Sequence, residues 1–119
     1  MEKVNLREKL NKFNELWSPR IVGELNGQYV KLVKLRGEFL WHHHENEDEF
    51  FLVVKGTLTI RLRNRDVGLN EGEFFVVPRG VEHMPVAETE AHVLLFEPEA
   101  TCNTGNVNSE RTVCKLECL

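Results

Sequence analysis

The 119-residue chain lacks most of the groups that usually mark a chemistry. It has no Gly-x-Ser-x-Gly elbow, no glycine-rich phosphate loop and no dinucleotide fingerprint. Nucleophilic and nucleotide-dependent reactions are therefore without their usual carriers. Basic blocks and basic amphipathic helices are also missing, and 15 Lys+Arg stand against 19 Asp+Glu for a formal charge of −4. Neither nucleic acid nor a membrane surface is expected as a partner. The longest strongly apolar run, Phe50 to Val54, is too short to span a bilayer. The opening MEKVNLREKL is charged throughout and has no apolar h-region, so a cytoplasmic location is expected. Cysteine is scarce: Cys102, Cys114 and Cys118, an odd count late in the chain, read as reduced thiols. Cys114 and Cys118 have no second pair with which to build a metal or redox site.

What is present divides into a short helical opening and a run of strands. The length suits one domain, residues 1–119, with enough chain for its own core. Leu6, Leu10, Phe13 and Trp17 fall on one stripe at a 3.6 period, Asn5 with Glu8 resembles a capping box, and Ser18-Pro19 closes the pattern. Residues 1–27 thus read as a helix and lead-in. From 28 to 97, short runs rich in Val, Ile, Leu, Phe and Thr recur between turn residues: 28–36, 38–44, 49–55, 57–63, 66–69, 73–77, 81–86 and 91–97. That rhythm predicts an all-β barrel or sandwich. Residues 98–119 form a polar tail expected to lie over the barrel.

The stretch WHHHENEDEFF, 41–51, holds three of the chain's five histidines. Alternation along a strand puts His42 and His44 on one face and His43 on the other. Glu45 to Asp48 make a polar turn, and Glu49 opens the returning strand beside the histidines. His83, carried by the Pro78-Arg79-Gly80 turn, is a fourth candidate. Three imidazoles and a carboxylate suit Fe, Mn, Ni, Zn or Cu better than Ca or Mg. The expected metal ligands are His42, His44, Glu49 and His83, with Phe51, Val53 and Met84 as apolar cavity walls. Phe39 and Trp41 are expected to face away from them. Arg61 and Arg63 read as the wet face of a strand, and His92 as a surface residue.

This pattern resembles the cupin family. Its first motif reads here Gly37, His42, His44, Glu49 and Gly56, with the first gap one residue shorter than usual. Its second reads Gly72, Pro78, Gly80 and His83, with Ala87 where asparagine often stands. The resemblance covers residues 28–97. It implies a double-stranded β-helix, or jelly-roll barrel, and one divalent transition metal per chain. It also implies a small-molecule ligand and chemistry of a dioxygenase, isomerase or lyase type. A sensing module without turnover and a metal-braced structural protein are the alternatives. A homodimer is expected, because Trp17, Phe39, Trp41 and the strand at 50–54 offer more apolar surface than one small barrel needs.

Overall fold

The computed structural model describes residues 2–99, 101, 102, 104–107 and 116–119. Its order is α1 (Leu6–Leu10), β1 (Arg20–Leu25), β2 (Gln28–Glu38), β3 (Glu49–Lys55), β4 (Leu58–Leu62), β5 (Asp66–Leu69), β6 (Phe74–Val77), β7 (His83–Pro98) and β8 (Glu117–Cys118). The jelly-roll barrel follows from the length of β2 and β7. These two pair antiparallel from Gln28↔Pro98 to Glu38↔Val86. The other edge of β7 is shared. Residues 83–86 pair with β4, and residues 92–96 pair with β3. β4 then pairs with β5, and β3 with β6. Two sheet halves thus curl around one interior. The two last runs expected from the sequence, 81–86 and 91–97, are one strand whose pairing with β2 shifts register between Ala87 and Ala91.

The interior is filled by alternate residues of each strand. Val33, Leu35, Phe51, Val53, Leu58, Ile60, Val77, Val93 and Leu95 form its core. Outside, Leu10, Phe13, Val22 and Leu32 make a second cluster where the N-terminal segment packs on the sheet. Gly56 shows why one turn needs glycine. Its φ is +85°, and a Cβ there would press on the Glu90 and Ala91 backbone.

Three local expectations need correction. The helix is one short piece, not a run to Trp17. Asn5 caps it as expected, accepting from the Glu8 N–H at 3.1 Å. It stops at Leu10 because Phe13 has a better position: Lys34 donates to the Phe13 carbonyl at 2.6 Å and lies over its ring, as does Arg20. Trp17 is drawn into a left-handed conformation with φ +58°, and its N–H donates to the Lys34 carbonyl at 2.8 Å. The lead-in also holds a strand, β1, joined to β2 by Asn26-Gly27. Both turn residues have positive φ, +50° and +77°, as a two-residue hairpin turn requires. Third, Cys102 is disulfide-bonded instead of being a reduced thiol, whereas Cys118 is a free, exposed thiol. Cys114 lies outside the described residues. No helix among the described residues is long and apolar enough to cross a membrane.

Candidate metal centre

The segment 39–44 is not a regular strand. It is held to the barrel by a single antiparallel bridge, His42↔His83. The two residues exchange both backbone bonds, 3.1 and 2.9 Å, so their side chains start from directly opposite positions. The Gly80 N–H donates to the His44 carbonyl at 2.7 Å, and the Arg79 N–H to the Asp48 carboxylate at 2.9 Å. The Pro-Arg-Gly turn is thereby locked against the loop before Glu49. Glu49 opens β3 opposite Val77. Three separate chain segments thus bring His42, His44, Glu49 and His83 together.

One ligating atom from each of the four lies within 4.8 Å of the others, and all four residues are buried. His83 Nε2 is 2.9 Å from Glu49 Oε1, and His44 Nε2 is 3.2 Å from the same oxygen. The orientation of the rings carries more than these distances. His42 Nδ1 lies 2.9 Å from the Leu40 carbonyl, and His83 Nδ1 lies 2.9 Å from the Val81 carbonyl. A carbonyl only accepts, so both Nδ1 atoms carry the hydrogen. In a neutral ring Nε2 then presents a lone pair. That lone pair on His83 faces a carboxylate oxygen, an arrangement stabilised only by a proton or a cation between them. The His44 Nε2 is buried with no hydrogen-bond partner of acceptable geometry, despite its 3.2 Å approach to Glu49. Ligands sharing a metal at bonds of ~2.1 Å sit ~3 Å apart, which is the spacing seen here. The four residues fit a divalent transition metal on donor chemistry and spacing, and His42 and His83 fit it on tautomer as well.

Protonation follows the same logic. Burial, then the neighbouring His83, push the His42 imidazole down to about 4. Burial also works against the charged form of His44, but Glu49 outweighs it and the net shift is upward. Burial alone would raise Glu49; contact with His44 and His83 reverses this and holds it well below the usual carboxylate range. A carboxylate anion and a neutral His42 near pH 7 are the states a cation requires.

Among the described residues, two approaches to the cluster are seen. One is a narrow apolar cavity of about 40 Å³ that touches His42 and Glu49, walled by Phe39, Phe51, Leu95 and Trp17. Trp17 and Phe39, both in its wall, stack at 4.7 Å, and Phe39 meets the His42 ring edge-on at 5.4 Å. The other is a polar cleft of about 340 Å³ at His44, between Glu45–Glu47 and the tail residues Cys102, Gly105 and Asn106. A surface depression of about 840 Å³ beside α1 shares no residue with the cluster.

Several expected positions shift. Phe39 lines the apolar cavity and does not face away, because 39–41 does not follow strand alternation. Met84 is buried but absent from the cavity wall, since it neighbours the inward His83 and takes the opposite face; Pro85 lines it instead. His43 stays outside the group of four; its Nε2 lies 3.8 Å from Glu45. Its backbone is clasped by Asn106, whose N–H donates to the His43 carbonyl at 3.0 Å while its side chain accepts the His43 N–H at 2.9 Å. Arg61 pairs with Glu38 and Asp66, and Arg63 with Glu82 while lying over the Trp41 ring. His92 pairs with Glu90 away from the centre. Unforeseen in the sequence are Trp17 and Pro19 in the cavity wall, and a buried ion pair, Lys31 to Glu97 at 2.9 Å. The signal for that pair was present: Lys31 alternates with Val33 and Leu35, and Glu97 with Leu95 and Val93.

A jelly-roll barrel with three histidines and a glutamate gathered at one point in its interior defines the class. Residues 29–97 match the Cupin domain family, and the chain belongs to it. A solved cupin-2 domain protein from Shewanella frigidimarina is 45% identical, covers 80% of this chain and 93% of its own, and superposes with a TM-score of 0.79. Protein NMB1881 from Neisseria meningitidis is 33% identical over 82% of this chain and 99% of its own, with a TM-score of 0.75. A 3-hydroxyanthranilate 3,4-dioxygenase from Meyerozyma guilliermondii is 26% identical over 82% of this chain and 62% of its own length.

Proposed function

We propose that this cupin binds one divalent transition metal per chain, among Fe, Mn, Ni, Zn and Cu, through His42, His44, Glu49 and His83, and acts on a small organic molecule held there. The observation that carries the reading is the pair of Nδ1-to-carbonyl contacts, which leave the lone pair on Nε2 of His42 and His83, the latter 2.9 Å from the Glu49 carboxylate. A bound metal of this kind supplies Lewis acidity and vacant positions for O₂ or a chelating ligand. The protein's own part is positional. Leu40 and Val81 carbonyls fix two rings, Glu49 holds the anionic charge, and Phe39, Phe51 and Leu95 keep water from one side. The cleft at His44 has the volume of a small-molecule pocket, and the apolar cavity has room for little more than one water. A ligand would therefore enter from the His44 side.

Among the reactions open to such a centre, a dioxygenase type is favoured by the likeness to the 3-hydroxyanthranilate dioxygenase. Isomerase and lyase chemistry, a sensing module and a structural metal remain the competing readings. Nitric oxide binding to the Fe(II)-loaded protein separates them. The dioxygenase type requires a nitrosyl spectrum; an unreactive iron centre would favour the sensing or structural reading. We also propose a homodimer. β6 is an edge strand that exposes Phe74 (60%) and Val76 (42%), and Phe74 stacks on Phe50 at 5.0 Å. Sedimentation at the monomer mass of 13.8 kDa would refute the dimer.

A further inference from the structure

The two spaces that meet the histidine-glutamate cluster differ in kind. The cleft at His44 is polar and of organic-molecule size, about 340 Å³. The cavity at His42 and Glu49 holds about 40 Å³ and shares no lining residue with the cleft. Eight of the ten residues around that cavity are apolar, and only His42 and Glu49 are not. Trp17 does carry a polar atom, but its Nε1 donates to the Arg36 carbonyl at 3.1 Å.

A cavity of this size could take water, so the polar groups around it decide what fills it. A buried water typically makes about three hydrogen bonds. His42 Nδ1 is already taken by the Leu40 carbonyl at 2.9 Å, which leaves Nε2 for the cluster. Glu49 Oε1 lies 2.9 Å from His83 Nε2 and 3.2 Å from His44 Nε2. With a cation in the cluster, a water in the cavity finds at most one partner, the second Glu49 oxygen. Such a space stays dry and takes an apolar guest instead.

The wall is set by specific contacts. Trp17 stands in it at φ +58°, a conformation uncommon for a bulky residue. It is pinned there by its backbone bond to the Lys34 carbonyl at 2.8 Å and by its ring N–H. Val33, Leu35, Phe51 and Leu95 close the inner side, and all four are buried core residues. A cavity among core side chains forfeits packing contacts. One kept against two members of the cluster points to a guest.

We propose that this cavity is a binding site for a small apolar gas molecule, and that dioxygen is the gas it serves at the cluster. The dioxygen assignment rests on the metal-centre reading above; the gas site itself does not. The organic ligand enters at His44 and the gas reaches the cluster at His42 and Glu49, so neither has to displace the other.

The test uses xenon, an apolar probe, with the zinc-loaded full-length protein. Xenon-pressurised crystals should show one xenon in the cavity of the wild type, and xenon NMR gives its affinity. The variants are Val33→Ile and Leu35→Phe, both in the cavity wall and outside the cluster. Each should retain zinc and bind xenon about tenfold or more weakly, because added carbon fills the space. Val33→Ile keeps a β-branched residue in β2 and carries the test if Leu35→Phe folds poorly. In Fe(II)-loaded protein both variants should slow nitric oxide association by a similar factor, while oxalate, entering at His44, binds as it does to wild type. No xenon in the wild type, unchanged xenon affinity in both variants, or loss of xenon with an unaltered nitric oxide rate would overturn the proposal. So would displacement of xenon by benzene, which would make the cavity a site for an organic ring. A wild type that takes xenon but retains no zinc would refute the metal centre and with it the dioxygen assignment, while the gas site stands.

Discussion

The barrel interior holds two buried polar groups, and they are built on opposite principles. Lys31 and Glu97 carry complementary charge, so the pair is neutral within itself. His44 and His83 bring Nε2 to one Glu49 carboxylate oxygen, with His42 buried beside them, an arrangement that could hold a cation. Both are buried equally well, and burial alone does not distinguish them. The difference lies in what the hydrogen bonds to the backbone leave over. At His42 and His83 they use up the Nδ1 donors; at Glu97 they are absent and one oxygen is spare. A buried polar cluster is therefore better judged by its unspent donors and acceptors than by its residue types.

The contrast can be broken most severely at the ion pair. Lys31→Met leaves the Glu97 carboxylate buried and unpaired, and should cost about 3–5 kcal/mol in urea unfolding. Adding Glu97→Leu should restore most of that loss. If the single and double variants were equally destabilised, the pair would not act as a unit. His83→Ala differs in degree: Glu49 loses one of the two imidazoles that hold its buried carboxylate charged but keeps His44, so the cost to metal-free stability should be smaller than at Lys31→Met.

Acid and base should separate the two groups next. In metal-free protein the lowered His42 pKa makes the fold lose stability as pH falls from 6.5 towards about 4, where only the unfolded chain takes up the proton. The raised Glu97 pKa has the reverse sign: its stabilisation is full below the ordinary carboxylate value of 4.5 and is lost as pH rises through about 7. Each limb is of order 3 kcal/mol. Thermal unfolding against pH should lose the acid limb in His42→Phe and the alkaline limb in the Lys31→Met, Glu97→Leu double variant. Persistence of both limbs in both variants would show that other groups set the profile.

Smaller effects are expected at the strap formed by the tail. Gly105 has φ +57°, and a Cβ there would collide with the His43 carbonyl oxygen. Gly105→Ala should lift the strap, at about 1–2 kcal/mol, and speed ligand entry at His44 more than it alters the cluster. An unchanged association rate for 4-nitrocatechol would show that the strap does not cover the entrance. His43→Ala is expected to do least: metal stoichiometry should stay at wild-type level, with stability changed by under about 0.5 kcal/mol.

Much of the barrel is readable from its punctuation. Gly56, Gly72 and the Pro78-Arg79-Gly80 turn mark strand ends, and the apolar alternation between them has no helical competitor. The cluster is readable because the His-x-His step and Glu49 obey a period of two even though 39–44 forms only a bridge. What stayed hidden depended on contacts across the fold. The helix was overestimated because nothing local to Phe13 announces that Lys34 will take its carbonyl. β1 was lost behind the helical stripe, although Asn26-Gly27 signalled its hairpin. Phe39 was assigned to the outer face by an alternation that the chain does not keep there. Lys31 and Glu97 escaped because a charged residue in an alternating strand is ordinarily the outward one.

The central claim is that His42, His44, Glu49 and His83 hold one cation between them. Cobalt titration of metal-free protein, followed by absorption and by metal analysis after desalting, tests it most directly. Wild type and His43→Ala should each retain one metal per chain, and His44→Ala and His83→Ala should retain none. Equal stoichiometry in all four proteins would contradict the account.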